Sequence, residues 1–276
     1  MKRIVLTRIR ALIALPVIFF AAMIVARPAF PSRAASVPED HTTRAAATAK
    51  TTPGAKPETP VTPPYIVIGF VGGFIRHDDP VHSEVQLAAR LRQEYPAGVD
   101  VETFESYRGD GALKKIHSLL DTNHDGFLTP AEKNQARIIL YGHSWGASEA
   151  IMVARELGKE DIPVLLTVQV DSVAKFYQND EVIPSNVAQA VNYYQPDGLV
   201  RGRVNIRAED PSRTRILGNF RFDYKSTPYA CTEYPWYDQF FVKAHTQIEC
   251  DPRVWKRAED LIRSTIGTPV LNGPGH

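Results

Sequence analysis

The chain has 276 residues, 43% of them hydrophobic, and its 32 basic and 31 acidic side chains nearly cancel to a net charge of +1. That length can bury a sizeable core and suits a single α/β domain. The near-neutral balance, with no basic stripe interleaved with aromatics, argues against a nucleic-acid partner.

The N-terminus has the composition of a targeting segment. Lys2, Arg3, Arg8 and Arg10 are followed by an apolar run from Ala11 to Ala26 broken only by Pro16, and Ser32-Arg33-Ala34 offers a cleavage point after Ala34. The run falls short of the ~20 apolar residues that a spanning helix needs. We therefore expect a signal peptide over 1–34, with a retained N-terminal membrane anchor as the alternative. Either outcome exports the rest of the chain, so a secreted or periplasmic location is expected, with no stable span after cleavage. Residues 35–64, rich in Pro, Thr and Ala, lack apolar periodicity and read as a disordered linker in which His41 is merely solvated.

From Tyr65 the pattern changes. "YIVIGFV" is a buried strand ending at Gly72-Gly73, "VHSEVQLAARLRQEY" carries helical spacing, and "GVDVETFE" is a second strand. "GALKKIHSLL" is a helix, "ARIILYG" a third strand, "SWGASEAIMVARELGK" a helix and "PVLLTVQVD" a fourth strand. Further strands are expected at "AQAVNYYQ" and "GRVNIRA", with a closing helix at "PRVWKRAEDLI". Strands alternating with helices predict a mostly parallel central sheet with helices on both faces, over 65–276. His82 and His117, within the helical stretches, read as ordinary surface or packing residues.

The polar stretch "DTNHDGFLTPAE", 121–132, matches the EF-hand loop pattern D-x-N-x-D-G-x-x-x-x-x-E. Five fixed residues would coincide by chance in about one chain in ten thousand of this length, so calcium is the expected cofactor. Asp121, Asn123 and Asp125 would supply side-chain oxygens, Phe127 its carbonyl, Thr129 a hydroxyl or bridged water, and Glu132 a bidentate carboxylate; His124 holds a non-ligand place. "PAEKNQ" leaves room only for a short exit helix, so the loop reads as isolated. The bland alternative is an acidic, solvated turn.

"ILYGHSWGASEA" holds Gly142-x-Ser144-x-Gly146 between a predicted strand and a predicted helix. The bare pattern arises by chance in roughly one chain in ten; its flanks give it weight. A nucleophile elbow needs an arriving strand, a strained turn holding the serine, and a departing helix. A serine that only caps the helix is the competing reading.

With that motif the chain resembles the α/β-hydrolase superfamily, in its lipase and esterase branch, from Tyr65 to the C-terminal helix. Gly142-His143-Ser144-Trp145-Gly146 is the most specific element. The resemblance implies a triad in the order serine, acid, histidine. His245, in "FFVKAHTQIECDPRVW", lies where the base is expected, in a loop before the final helix. His143 flanks the serine, but on an elbow its ring is expected to point away from the hydroxyl; His77 is a candidate to line the pocket. Asp171, at the end of "VLLTVQVD", is the expected acid, and Asp197 in "YYQPDG" is the alternative one strand later. The implied oxyanion hole uses the backbone amides of Trp145 and of Phe74, where the family's usual His-Gly pair is replaced by Gly72-Gly73.

Cys231 and Cys250 are the only cysteines. In an exported chain they are expected to pair and to tether the segment carrying His245, the alternative being two buried thiols. The leading functional expectation is an exported serine hydrolase of carboxylic esters or thioesters, working through an acyl-enzyme on a small-molecule or lipid ester and stabilised by calcium. Two others stay open: a non-catalytic calcium-binding member of the fold that binds a lipid or glycan, and an amidase or peptidase with the same triad.

Overall fold

The computed structural model describes residues 64–234 and 242–267. The expected signal peptide lies outside them, as do all of the linker except Pro64 and the residues 235–241. No helix among the described residues is long and apolar enough to cross a membrane.

The elements follow one another as β1 (Tyr65–Val71), α1 (Ser83–Glu94), β2 (Val99–Glu105), α2 (Gly109–Leu120), α3 (Pro130–Asn134), β3 (Ile138–His143) and α4 (Trp145–Lys159). Then come β4 (Val164–Val170), β5 (Val182–Ile183), β6 (Val187–Tyr194), β7 (Arg207–Ala208), β8 (Arg215–Arg221), α5 (Lys243–Cys250) and α6 (Pro252–Ile266). Six strands form one sheet in the order β2-β1-β3-β4-β6-β8, and every pairing is parallel.

The strands are near-continuous apolar runs because both sheet faces are covered. Successive side chains point to opposite faces. Ile66, Ile68, Phe70, Ile138 and Leu140 pack against Ala112, Ile116 and Leu120 of α2 and Ile151, Ala154 and Leu157 of α4. Val67, Ile139, Tyr141 and Val168 face Leu87, Ala88 and Leu91 of α1 and Val254, Trp255, Ala258 and Ile262 of α6. Each such large aliphatic side chain contributes roughly 1.5–3 kcal/mol on burial. The expected two-sided parallel sheet is therefore the observed one.

The chain runs outward from β1 to β2, then returns to place β3 on the other side of β1. The carboxyl ends on either side of that reversal form a crevice, the usual place for ligand chemistry in such sheets. Register brings Phe70 beside Gly142 and His143 beside Val170, so β1, β3 and β4 end together.

One expectation fails in the second half, and one strand was not foreseen. "GRVNIRA" is not a strand of the main sheet; only Arg207–Ala208 pairs, with Val182–Ile183 in a separate two-stranded sheet. The backbone ahead of it is taken up elsewhere: Gly202 N donates to Asp171 Oδ1 (2.9 Å), Arg203 N to Ser172 O (2.9 Å), and the Arg203 carbonyl accepts from Asn192 Nδ2 (2.7 Å). The sixth strand of the sheet is "RILGNFR", whose Gly218 and Asn219 break the apolar alternation that would have revealed it.

Candidate active site

β3 delivers Ser144 onto a turn with φ 54° and ψ −124°, immediately ahead of α4. A non-glycine residue held there costs of order 1–3 kcal/mol, which the surrounding structure must offset. Part of the offset is the Ser144 amide, which donates to the Val170 carbonyl at 3.0 Å. The flanking glycines are sterically required. A Cβ on Gly142 would lie 2.6 Å from the Gly146 carbonyl carbon, and one on Gly146 would lie 2.2 Å from the Phe70 carbonyl oxygen. The G-x-S-x-G spacing thus records where β3, α4 and β1 touch backbone to backbone.

Asp171 follows β4, fully buried and at φ 44°. Its carboxylate accepts from Gln195 N (3.1 Å), Gln195 Nε2 (2.8 Å) and Gly202 N (2.9 Å). Those donors compensate for burying a charge. Gly202 has no room for a side chain, since a Cβ would sit 2.3 Å from Asp171 Oδ1.

His245 completes the cluster. Its Nδ1 is 2.6 Å from Asp171 Oδ2 and its Nε2 is 2.8 Å from Ser144 Oγ. A carboxylate only accepts, so Nδ1 carries the proton toward Asp171 and Nε2 is left to accept from the serine hydroxyl. His245 lies in the helix α5, not in the loop expected for it. Short as it is, α5 is pinned at several points: Gln247 Nε2 donates to Tyr229 O (2.7 Å), Trp255 Nε1 donates to Glu249 O, and Cys250 is bonded to Cys231 with their Cα atoms 5.8 Å apart.

The structure therefore brings Ser144, Asp171 and His245 together and leaves Asp197 apart, where its Oδ1 pairs with Lys225 Nζ at 2.9 Å. Gln195 and Gly202, the clamps on Asp171, belong to no sequence motif. His77 is half-exposed and hydrogen-bonded to Glu105 Oε1 at 2.7 Å. The Phe74 ring is 84% exposed and meets Trp145 edge-on, with centroids 5.4 Å apart. No hydrogen bond among the described residues uses the Phe74 or Trp145 amide. A cavity of about 540 Å³ opens beside Asp171, walled by Ser172, Val173, Gly202 and Arg203.

Two further histidines are buried. The ring of His143 lies against that of His245, with centroids 4.5 Å apart. Of the surface and packing readings of His82 the second holds: it occupies the N-cap position of α1, is buried, and binds Glu249 through Nδ1. Burial opposes its charge, yet the Glu249 hydrogen bond and charge win and lift His82 to about 9. Burial, with the neighbouring positive charges of His245 and His82 adding to it against the pull of Glu249, carries His143 down to about 4, leaving it neutral beside His245. Glu84 is raised to about 8, first by burial and then by the negative charge of Glu249.

The loop at 121–132 turns as its pattern requires, with Gly126 at φ 84°. Asp121 accepts the amides of Asp125 (3.2 Å) and Gly126 (2.9 Å), and Asp125 accepts that of Phe127 (2.8 Å). Glu132 closes a capping box with Thr129 at the start of α3 and also holds the Thr122 amide at 2.9 Å. These bonds, the Thr129 amide foremost, hold its carboxyl down at about 2. The donors are all oxygen, which suits calcium. The carboxylates of Asp121, Asp125 and Glu132 do not all come within 4.8 Å of one another.

No family model and no curated protein matches the sequence. Among solved structures, the chain is similar to a cutinase-like protein from Cryptococcus sp., at 12% identity over 76% of this chain and 98% of that one, with a TM-score of 0.40. It is also similar to an acetylxylan esterase, at 12% identity over 74% and 99% with a TM-score of 0.36. A third is a thioesterase from the prodiginine biosynthetic pathway of Streptomyces coelicolor, at 13% identity over 72% and 97% with a TM-score of 0.29.

Proposed function

We propose that this chain is an exported serine hydrolase of the α/β-hydrolase type, cleaving carboxylic esters or thioesters through an acyl-enzyme. One observation carries the reading: a serine hydroxyl held on a strained strand-to-helix turn, 2.8 Å from an imidazole whose other nitrogen is 2.6 Å from a buried carboxylate. A helix-capping serine needs no such pair.

In this mechanism Ser144 Oγ attacks the acyl carbon while its proton passes to His245 Nε2. Asp171 keeps the proton on Nδ1 and stabilises the imidazolium. The negative charge developing on the carbonyl oxygen is met by the amides of Trp145 and Phe74, each worth roughly 3 kcal/mol of transition-state stabilisation. Collapse breaks the bond to the alcohol or thiol, which leaves with the proton from Nε2. Water then attacks the acyl-serine, giving its proton to the same nitrogen, and the acid departs as Ser144 regains it. The exposed Phe74 ring beside Trp145 favours an apolar acyl or alcohol group.

Calcium enters this proposal as a structural ion, which when bound supplies positive charge to the acidic loop. Asp121, Asn123, Asp125, Phe127, Thr129 and Glu132 would hold it, a few residues upstream of the strand that carries Ser144. Export is supported by the basic and apolar N-terminus and by the Cys231–Cys250 bond, which belongs in an oxidising compartment. The test is a panel of short and long acyl esters, thioesters and amides with the mature chain, together with fluorophosphonate labelling. Labelling at Ser144 with ester turnover supports the proposal; a serine that neither labels nor turns over any ester ends it.

A further inference from the structure

Beneath His245 lies a second cluster of ionisable groups that the hydrolytic mechanism does not use. His82 and Glu84 come from the start of α1, His143 from the end of β3, and Glu249 from α5; none is more than 7% exposed. Ligand atoms of His82, Glu84 and Glu249 all lie within 4.8 Å of one another. His143 lies outside that set of three, but its Nδ1 is 3.5 Å from Glu249 Oε2 and 3.9 Å from Glu84 Oε1.

The hydrogen bonding is incomplete. Glu84 is 0% exposed; the amides of Glu84 and Gly72 lean toward its carboxyl, yet neither oxygen has a hydrogen-bond partner among the described residues. Both ring nitrogens of the buried His143 are likewise without a partner there. Groups so buried are normally paired or bound to a metal, because leaving them bare is costly.

Two carboxylates and two imidazoles are a donor set that zinc accepts. With Zn–N and Zn–O bonds of about 2.0–2.2 Å in a tetrahedron, neighbouring ligand atoms stand about 3.4 Å apart, close to the separations of His143 from the two carboxylates, so that a shift of its ring toward His82 would complete the set. A divalent charge would cancel both carboxylates while the imidazoles stay neutral. Glu84 and His143 would each gain the partner they lack. A cavity of about 270 Å³ lies close by, lined by Ser83 and Cys250, chain neighbours of the cluster, and by Tyr234, whose hydroxyl donates to Glu249 Oε1 at 3.2 Å.

We propose that His82, Glu84, His143 and Glu249 form a closed, four-ligand site for a zinc-class divalent cation. The site is structural: four protein ligands leave no open position for catalysis, and they tie α1, β3 and α5 together behind the histidine of the triad. It is separate from the oxygen-only loop at 121–132 and does not depend on what the serine does.

The test uses the mature, disulfide-bonded chain, exposed to Zn²⁺, desalted and analysed for bound metal. One zinc per chain is expected for the wild type and for Glu132→Gln. Glu84→Gln, nearly isosteric, is expected to bind zinc more than about a hundredfold more weakly, beyond what loss of an outer-shell partner costs. In parallel, Co²⁺ in the wild type should give the intense visible bands of a four-coordinate site. The proposal is overturned if the wild type retains no zinc, if Glu84→Gln retains a full equivalent, or if Co²⁺ gives only weak six-coordinate bands. The cobalt measurement decides the matter even should Glu84→Gln fail to fold.

Discussion

Asp171 Oδ2 lies 2.6 Å from His245 Nδ1, across a sequence separation of 74 residues. The carboxylate reaches that nitrogen because Gln195 and Gly202 hold its other lone pairs. Replacing Asp171 by Asn presents an amide that can donate to Nδ1 and so favours the wrong tautomer. We expect Asp171→Asn to lower kcat by about 10⁴-fold with little change in KM. Asp197→Asn, which removes only the partner of Lys225, should stay within about threefold of wild type. Steady-state rates on one ester for both variants decide the assignment; the reverse ranking would move the acid to Asp197.

The elbow makes a stability prediction that needs no substrate. In Gly146→Ala the new methyl would meet the Phe70 and Val71 carbonyl oxygens at 2.2 and 2.6 Å, and these belong to a central strand that cannot easily retreat. Overpacking of this kind costs about 1–3 kcal/mol or more. With about 2–4 °C per kcal/mol for a domain of this size, Tm should fall by at least about 2 °C. Thermal unfolding of the variant checks it, and an unchanged Tm would mean that β1 and α4 are not in contact there.

How far the sequence reveals this site follows from what each residue must satisfy locally. Ser144 was legible because its constraint is local: strand, tight turn and helix adjoin in sequence, and steric crowding leaves glycine on either side. Asp171 was legible because a buried parallel strand reads as an apolar run and the first polar residue beyond it stands at the carboxyl edge. The helical setting of His245 was missed because α5 is only 8 residues long and owes its place to Tyr229, Trp255 and Cys231, all outside it. Gln195 and the buried set of His82, Glu84, His143 and Glu249 carried no signal. Each lies in an ordinary helical or strand pattern, and only the packing of three distant elements makes them neighbours.

Removal of the Cys231–Cys250 bond should act on catalysis as well as stability. On the chain-entropy view a loop spanning 19 residues contributes about 3 kcal/mol, by constraining the unfolded chain. The bond also anchors the end of α5, five residues past His245. The doubly substituted Cys231→Ser/Cys250→Ser protein should lose about 6–12 °C in Tm. It should also lose kcat, measured well below that melting point. A lower Tm with kcat intact would show that the remaining contacts hold His245 alone.

The loop at 121–132 can be examined separately from Ser144, Asp171 and His245, because Glu132 does two things. It caps α3 through Thr129 and holds the Thr122 amide, and it is the only acidic side chain in the second half of the loop. If the loop binds calcium only when folded, an ion at a hundredfold excess over its Kd stabilises the fold by about 2.7 kcal/mol. Chelation of the wild type should then lower Tm by about 5–11 °C, reversed by calcium. In Glu132→Gln the melting point should start lower, since an amide cannot accept on both oxygens as the carboxylate does, and it should no longer respond to calcium or to a calcium-selective chelator. A wild-type Tm indifferent to both would mean that Glu132 serves only as a helix cap and that the loop is an acidic turn.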